Sequence, residues 1–196
     1  MAFINQEAKE IHCKVVYYGP SLGGKTTNIQ WVYQKSVGQD KSELAQFNTN
    51  PERTLFFDFL PMNVGQINGL KTRFHLYTVP GQVVYDASRK LILKGLDGIV
   101  FVADSQIERM DENIEAMKNL EKNLEQQGYN IRQVPLVIQY NKRDLPNVAS
   151  IAELRAALNK YNAPDFEATA AIGRGVMETL KTVSKGIITT LKGGDV

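Results

Sequence analysis

Eight consecutive residues, Gly19-Pro20-Ser21-Leu22-Gly23-Gly24-Lys25-Thr26, have the spacing G-x-x-x-x-G-K-[ST] of a phosphate-binding loop. A glycine-rich turn points successive backbone N–H groups inward as a nest for phosphate oxygens. A helix that follows adds the positive end of its dipole. Lys25 then supplies a point charge to the β- and γ-phosphates, and the Thr26 hydroxyl is placed for Mg²⁺. The context agrees: an apolar run, Val15 to Tyr18, precedes the loop, and a helix-compatible run, Thr27 to Lys35, follows it. The alternative is a chance glycine-rich turn.

A second set lies far along the chain. Asn141-Lys142-Arg143-Asp144 reads N-K-x-D directly after an apolar run. A carboxylate at the fourth position can accept from both N1–H and the exocyclic amine of guanine, whereas adenine offers the wrong sense. Unpaired groups in such a site are heavily disfavoured. Lys142 can lie along the base, and Asn141 can tie this loop to the phosphate loop. Taken alone, the motif would also suit an ordinary polar strand-to-helix loop.

These loops need a scaffold. Apolar runs alternate with helical patterns, which predicts a three-layer α/β fold: a mostly parallel sheet with helices on both faces and one antiparallel strand pair. Strands are expected at about Ile11–Tyr18, Thr54–Leu60, Phe74–Val79, Gly98–Asp104, Val134–Tyr140 and Phe166–Ala170. The residues before Ile11 fit either a short strand or a tail. Asn68-Gly69 signals a two-residue hairpin. Residues 39–53 read as a functional or mobile loop. Helices are expected after the phosphate loop, over Asp86–Lys94, along Met110, Ile114, Met117, Leu120 and Leu124, over Ile151–Leu158, and from Val176 to Leu191. The whole chain, 1–196, reads as a single domain.

Composition narrows the class. With 43% hydrophobic and 22% charged residues and a net charge of +2, the chain looks like a soluble globular protein with no bias toward nucleic acid. A single cysteine, Cys13, cannot form an internal disulfide and points to a reducing cytoplasm. Ala2 and the terminal Gly193-Gly194-Asp195-Val196 offer no lipidation signal, so no direct membrane anchor is expected.

The ordered set GPSLGGKTT, Arg53-Thr54, TVPGQ (Thr78 to Gln82) and NKRD resembles the Ras-like small GTPases. Longer strings, RTLFFDFLP, KTRFHLYTVPGQ, ASRKLILKG, DGIVFVADS and QYNKRDLPN, resemble the MglA family of bacterial cell polarity and gliding motility along essentially the whole chain. The resemblance implies a GTP/GDP switch with Mg²⁺. Gly19, Ser21, Leu22, Gly23, Gly24, Lys25, Thr26, Thr27, Thr54 and Gly81 would surround the phosphates. Asn141, Lys142, Asp144 and the N–H of Ala170 would surround guanine. Gln82 would orient the attacking water and Arg53 would act as an arginine finger in cis. Thr26 and Thr54 would hold Mg²⁺. Implied partners are an MglB-like roadblock-domain activating protein and polarity and motility effectors. The protein would be a cytoplasmic monomer on its own, recruited to the cell pole by partners.

Two positions depart from the Ras pattern. Thr78 stands where small GTPases carry a Mg²⁺-site aspartate, although the MglA family shares the threonine. Asp58 is a candidate substitute, or simply an exposed residue between Phe57 and Phe59. Ser21 stands where glycine is usual, and its Cβ is expected to crowd the attacking water or strain the loop. Such a chain could hold nucleotide as a scaffold and hydrolyse little of it. Ala87–Lys94 mixes basic and apolar residues and fits either a partner-binding helix or an ordinary amphipathic one. A P-loop nucleoside kinase is disfavoured by the N-K-x-D motif.

Overall fold

A computed structural model describes residues 2–36, 66–67, 69–80 and 86–193. The expected loop 39–53, the expected strand Thr54–Leu60, and Arg53, Thr54, Asp58, Gly81 and Gln82 lie outside the described residues.

The chain alternates strands and helices: β1 (Phe3–Asn5), β2 (Glu10–Tyr18), α1 (Lys25–Ser36), β3 (Gln66–Ile67), β4 (Leu70–Thr78), α2 (Asp86–Leu93), β5 (Gly98–Asp104), α3 (Met110–Glu125), β6 (Leu136–Asn141), α4 (Ile151–Leu158), β7 (Asp165–Glu167) and α5 (Val176–Gly193). Among the described residues the strands form one sheet in the order β3-β4-β2-β5-β6-β7, with β1 also paired to β2. β4, β2, β5, β6 and β7 are parallel. The antiparallel β3–β4 pairing sets Ile67 opposite Leu70. The N-terminal residues take the strand option: β1 adds a second, three-residue antiparallel pairing.

Period-two alternation along the strands sorts the core into two layers. Ile11, Cys13, Val15 and Tyr17 of β2 face α1 and α5, packing with Ile29, Val32, Leu180, Val183 and Ile187. Val16 and Tyr18 face the other way, toward Ile92 and Leu93 of α2, Met117 and Leu120 of α3, and Leu154 of α4. β5 and β6 are buried along their whole length, as central parallel strands must be. Cys13 is one of the packed apolar positions, and burial pushes its thiol up to about 12, so it is chemically quiet. Ser150 and Glu153 close a capping box that starts α4.

Three strands differ by two residues or more from their sequence limits. β4 starts at Leu70 rather than Phe74, because Lys71 to Arg73 already pair with Glu10 to His12 of β2. β6 begins after Pro135, which has no N–H to give a ladder. β7 stops at Glu167 because the following residues turn to meet neighbouring loops: Thr169 N–H donates to Arg174 O at 3.0 Å. There the loop packs on α1 so closely that a Cβ at Gly173 would collide with the Trp31 ring, and Gly173 also has a left-handed φ of +81°.

The two-layer core sets an expected cost for truncation. Leu120 is fully buried between α3 and the sheet. Leu120→Ala should lower unfolding free energy by about 2–5 kcal/mol, seen as a lower denaturant midpoint with an unchanged slope.

Candidate functional site

β2 lies between β4 and β5, and the chain passes from one side to the other around it. Such a switch point opens a crevice at the strands' carboxyl ends. The turns that follow β2, β5, β6 and β7 all gather there. They carry the phosphate loop, Asp104-Ser105, Asn141–Asp144 and Thr169–Gly175.

The side chain of Asn141 joins three of these turns. Its Nδ2 donates to Gly23 O at 2.9 Å, and its Oδ1 accepts from Ala170 N–H at 2.9 Å. Gly24 has a φ of +100°, and a Cβ there would collide with Asn141 Nδ2, so only glycine allows this approach. Behind the loop, Asn28 Nδ2 donates to Gly24 O at 3.0 Å, and Gln139 Nε2 donates to Asn28 Oδ1 at 2.9 Å. A buried amide chain therefore runs from β6 to the first turn of α1. The Ala170 N–H, which the family pattern assigns to the guanine O6, is instead committed to Asn141. A guanine O6 bound there would share that donor with Asn141.

Lys25 is buried and donates to Gly19 O at 3.0 Å and Pro20 O at 2.6 Å. Burial, with repulsion from Arg89, pulls its ammonium down to about 7. Thr26 and Thr27 follow in the first turn of α1. Strain in the loop does not fall on Ser21. The left-handed residue is Leu22, with φ +60° and its side chain 81% exposed. The expectation that Ser21 strains the backbone is therefore corrected. Thr78 is buried at the end of β4, and its hydroxyl finds no protein partner among the described residues.

On the base side, Lys142 has a left-handed φ of +65° and reaches Asp104 Oδ2 at 2.6 Å. Arg143 staples the loop through Glu167 at 3.0 Å and Ala149 O at 2.7 Å. Asp144 is exposed, and its carboxylate meets no partner among the described residues. Asp104 and Arg109 are the residues that motif spacing misses. Asp104 is 1% exposed and ends β5, while Arg109 reaches across to Ser21 O at 2.8 Å. A charged residue closing an apolar strand at the carboxyl edge was the available signal for Asp104.

Of the expected stretch Ala87–Lys94, residues 87–93 lie in α2, which has a mixed role. Arg89 points inward, donating from Nε to Pro80 O at 2.9 Å and from a terminal nitrogen to Asn119 Oδ1 at 2.8 Å. Ile92 and Leu93 are buried, whereas Leu91 is 65% exposed. Part of the basic character is therefore internal bracing of Pro80, two residues after β4.

Sequence comparison agrees with this geometry. A profile of the ADP-ribosylation factor family matches residues 1–187. The chain belongs to this family of small GTPases. Among its relatives, the mutual gliding-motility protein MglA of Myxococcus xanthus is 60% identical over 194 residues, covering 99% of this chain and all of that protein. Human ADP-ribosylation factor-like protein 4A is 29% identical, covering 89% of this chain and 82% of its own. Human ADP-ribosylation factor-like protein 4C is 25% identical, covering 89% and 86%. As a small GTPase of the ADP-ribosylation factor family, the chain binds GTP and GDP. No helix among the described residues is long and apolar enough to cross a membrane.

The lowered Lys25 has a measurable sign. Phosphate oxygens beside it favour the ammonium form and raise its pKa again. At pH 8 the buried amine is largely neutral, so GDP binding should take up close to one proton per site. At pH 6 the uptake should vanish. Calorimetry in buffers of different ionisation enthalpy reads this directly.

Proposed function

We propose that this protein is a GTP-hydrolysing switch controlling bacterial cell polarity and motility, active in its GTP form. The observation that carries the reading is the near full-length 60% identity to a gliding-motility protein. The joining of phosphate and base loops through Asn141 supports it.

In this reading the single domain 1–196 cradles the phosphates with Gly19 and residues 21–27, and Lys25 pairs with the β- and γ-oxygens. Asp144 reads N1–H and the exocyclic amine of guanine, while Lys142 lies along the base and Asn141 keeps its loop in place. Gln82 orients the attacking water, and Arg53 compensates charge on the γ-phosphoryl group. An arginine in that role is worth about 10³–10⁵ in rate. Thr54 and Gly81 sense the γ-phosphate, which would order their segments until hydrolysis releases them.

The donors suit Mg²⁺, a hard cation that prefers oxygen. Thr26 offers a hydroxyl, and the orphaned buried hydroxyl of Thr78 needs a polar partner such as a metal-bound water. Thr54 and Asp58 are the further candidates. The ion would neutralise charge on the β- and γ-phosphates.

Partners follow from the same reading. An MglB-like roadblock protein would order the segment carrying Arg53, so it could accelerate hydrolysis without donating a side chain. Polarity and motility effectors would read the GTP form. The protein would be a cytoplasmic monomer recruited to the pole by them.

The test is the nucleotide carried by purified protein and its fate with Mg²⁺ and an MglB-like partner. GTP converted to GDP, faster with the partner, is expected. Nucleotide held without turnover even with the partner would overturn the switch and favour the scaffold. Base reading has its own test. Asp144→Asn presents one acceptor and one donor, which matches xanthine and leaves guanine mispaired. It should weaken GDP binding by about 100-fold and favour XDP, read by competition with a fluorescent nucleotide.

A further inference from the structure

Arg109 lies 88 residues from the phosphate loop in sequence, yet a terminal nitrogen of its guanidinium donates to Ser21 O at 2.8 Å. The guanidinium is seated by two carboxylates. The other terminal nitrogen meets Glu112 Oε1 at 2.7 Å, and Nε lies 3.9 Å from Asp104 Oδ2. Asp104 Oδ2 also accepts from Lys142 Nζ at 2.6 Å. Asn113 fixes the backbone of Asp104 by accepting from its N–H at 2.9 Å and donating to its carbonyl at 2.7 Å. A continuous charged brace thus runs from the base loop through β5 to the phosphate loop.

The peptide that Arg109 holds is the one that most needs holding. Leu22, which follows it, sits at φ +60°, a region that an L-residue with a Cβ disfavours. No peptide bond here is cis, and in a trans unit the C=O and N–H point in opposite directions. Fixing Ser21 O outward on Arg109 therefore aims the Leu22 N–H the other way. Gly23 N–H turns back to Pro20 O at 3.3 Å, whereas the Leu22 N–H meets no protein partner among the described residues. Flipping this one peptide would return Leu22 to negative φ and relieve its strain. It would also turn the N–H away from the cradle.

We propose that Arg109 is a positioning residue that locks the Ser21–Leu22 peptide against this flip and keeps the Leu22 N–H aimed at the phosphates of the bound nucleotide. The inference rests on the reading of residues 19–27 as the phosphate loop. It adds a residue from α3's approach, seated by Asp104, to the machinery of that loop. Leu22 explains why the brace is needed, and its exposed side chain means that strain is what its replacement changes.

The experiment compares the parent chain, Arg109→Ala, Arg109→Lys, Leu22→Gly and the double variant Arg109→Ala/Leu22→Gly. Two quantities are read: single-turnover GTP hydrolysis and release of a fluorescent non-hydrolysable GTP analogue. Arg109→Ala should release the analogue about tenfold faster and hydrolyse GTP about tenfold more slowly, the effect of one hydrogen bond to a charged group. Arg109→Lys keeps the charge but loses the fork, and should fall between them. Glycine tolerates positive φ, so the double variant should return to within about threefold of Leu22→Gly. A loss of fold would not be rescued this way. Arg155→Ala, which removes a surface pair with Asp165, serves as the unchanged control. Arg109→Ala releasing the analogue like the parent, or a double variant as impaired as Arg109→Ala, overturns the inference. A parent chain that binds no guanine nucleotide overturns the proposed function itself.

Discussion

The Asn141 carboxamide is the interaction on which the site depends. One amide faces two backbone groups from different loops, Gly23 O and Ala170 N–H. Both ends must be satisfied, because an unpaired buried amide costs about 1–3 kcal/mol. That requirement brings the ends of β2, β6 and β7 to one place. It also dictates glycine at position 24, where any Cβ would meet the carboxamide. Distance between phosphate loop and base loop is thereby set by a side chain that the described structure holds from both sides.

Around this joint the protein uses charge sparingly and inside. Asp104 and Lys25 are buried: Asp104 accepts from Lys142 of the loop after β6, while Lys25 donates to Gly19 O and Pro20 O within its own loop. Arg89 holds the Pro80 carbonyl from α2 and reaches α3 through Asn119. The same Asn119 Oδ1 accepts from the hydroxyl of Tyr18, the last residue of β2. Helices on the α2–α3 face therefore contact the ends of the strands through polar bonds as well as through the apolar layer.

Much of this was legible in the sequence where it is local. Spacing alone marked residues 19–24 as the tight turn between β2 and α1, because backbone geometry demands its glycines. Gly98–Asp104 was read to the residue as β5, since an uninterrupted apolar run fits a central parallel strand. Asn68-Gly69 marked its hairpin for the same local reason. Arg109 and Asp104 were not legible, because their meaning lies in contacts with Ser21 and Lys142, far away along the chain. The end of β7 differs from its sequence limit for a related cause: it is decided by which neighbouring loop claims the backbone. Of the two effects expected of Ser21, crowding of the attacking water or loop strain, the dihedral angles move the strain one residue later, to Leu22.

Trp31 is the chain's one tryptophan. It lies in α1, directly behind the phosphate loop, and presses on Gly173 in the turn after β7. An indole in that position has an environment made jointly by α1 and the turn after β7. Its emission is therefore expected to change when these two elements shift against each other, a readout that needs no label.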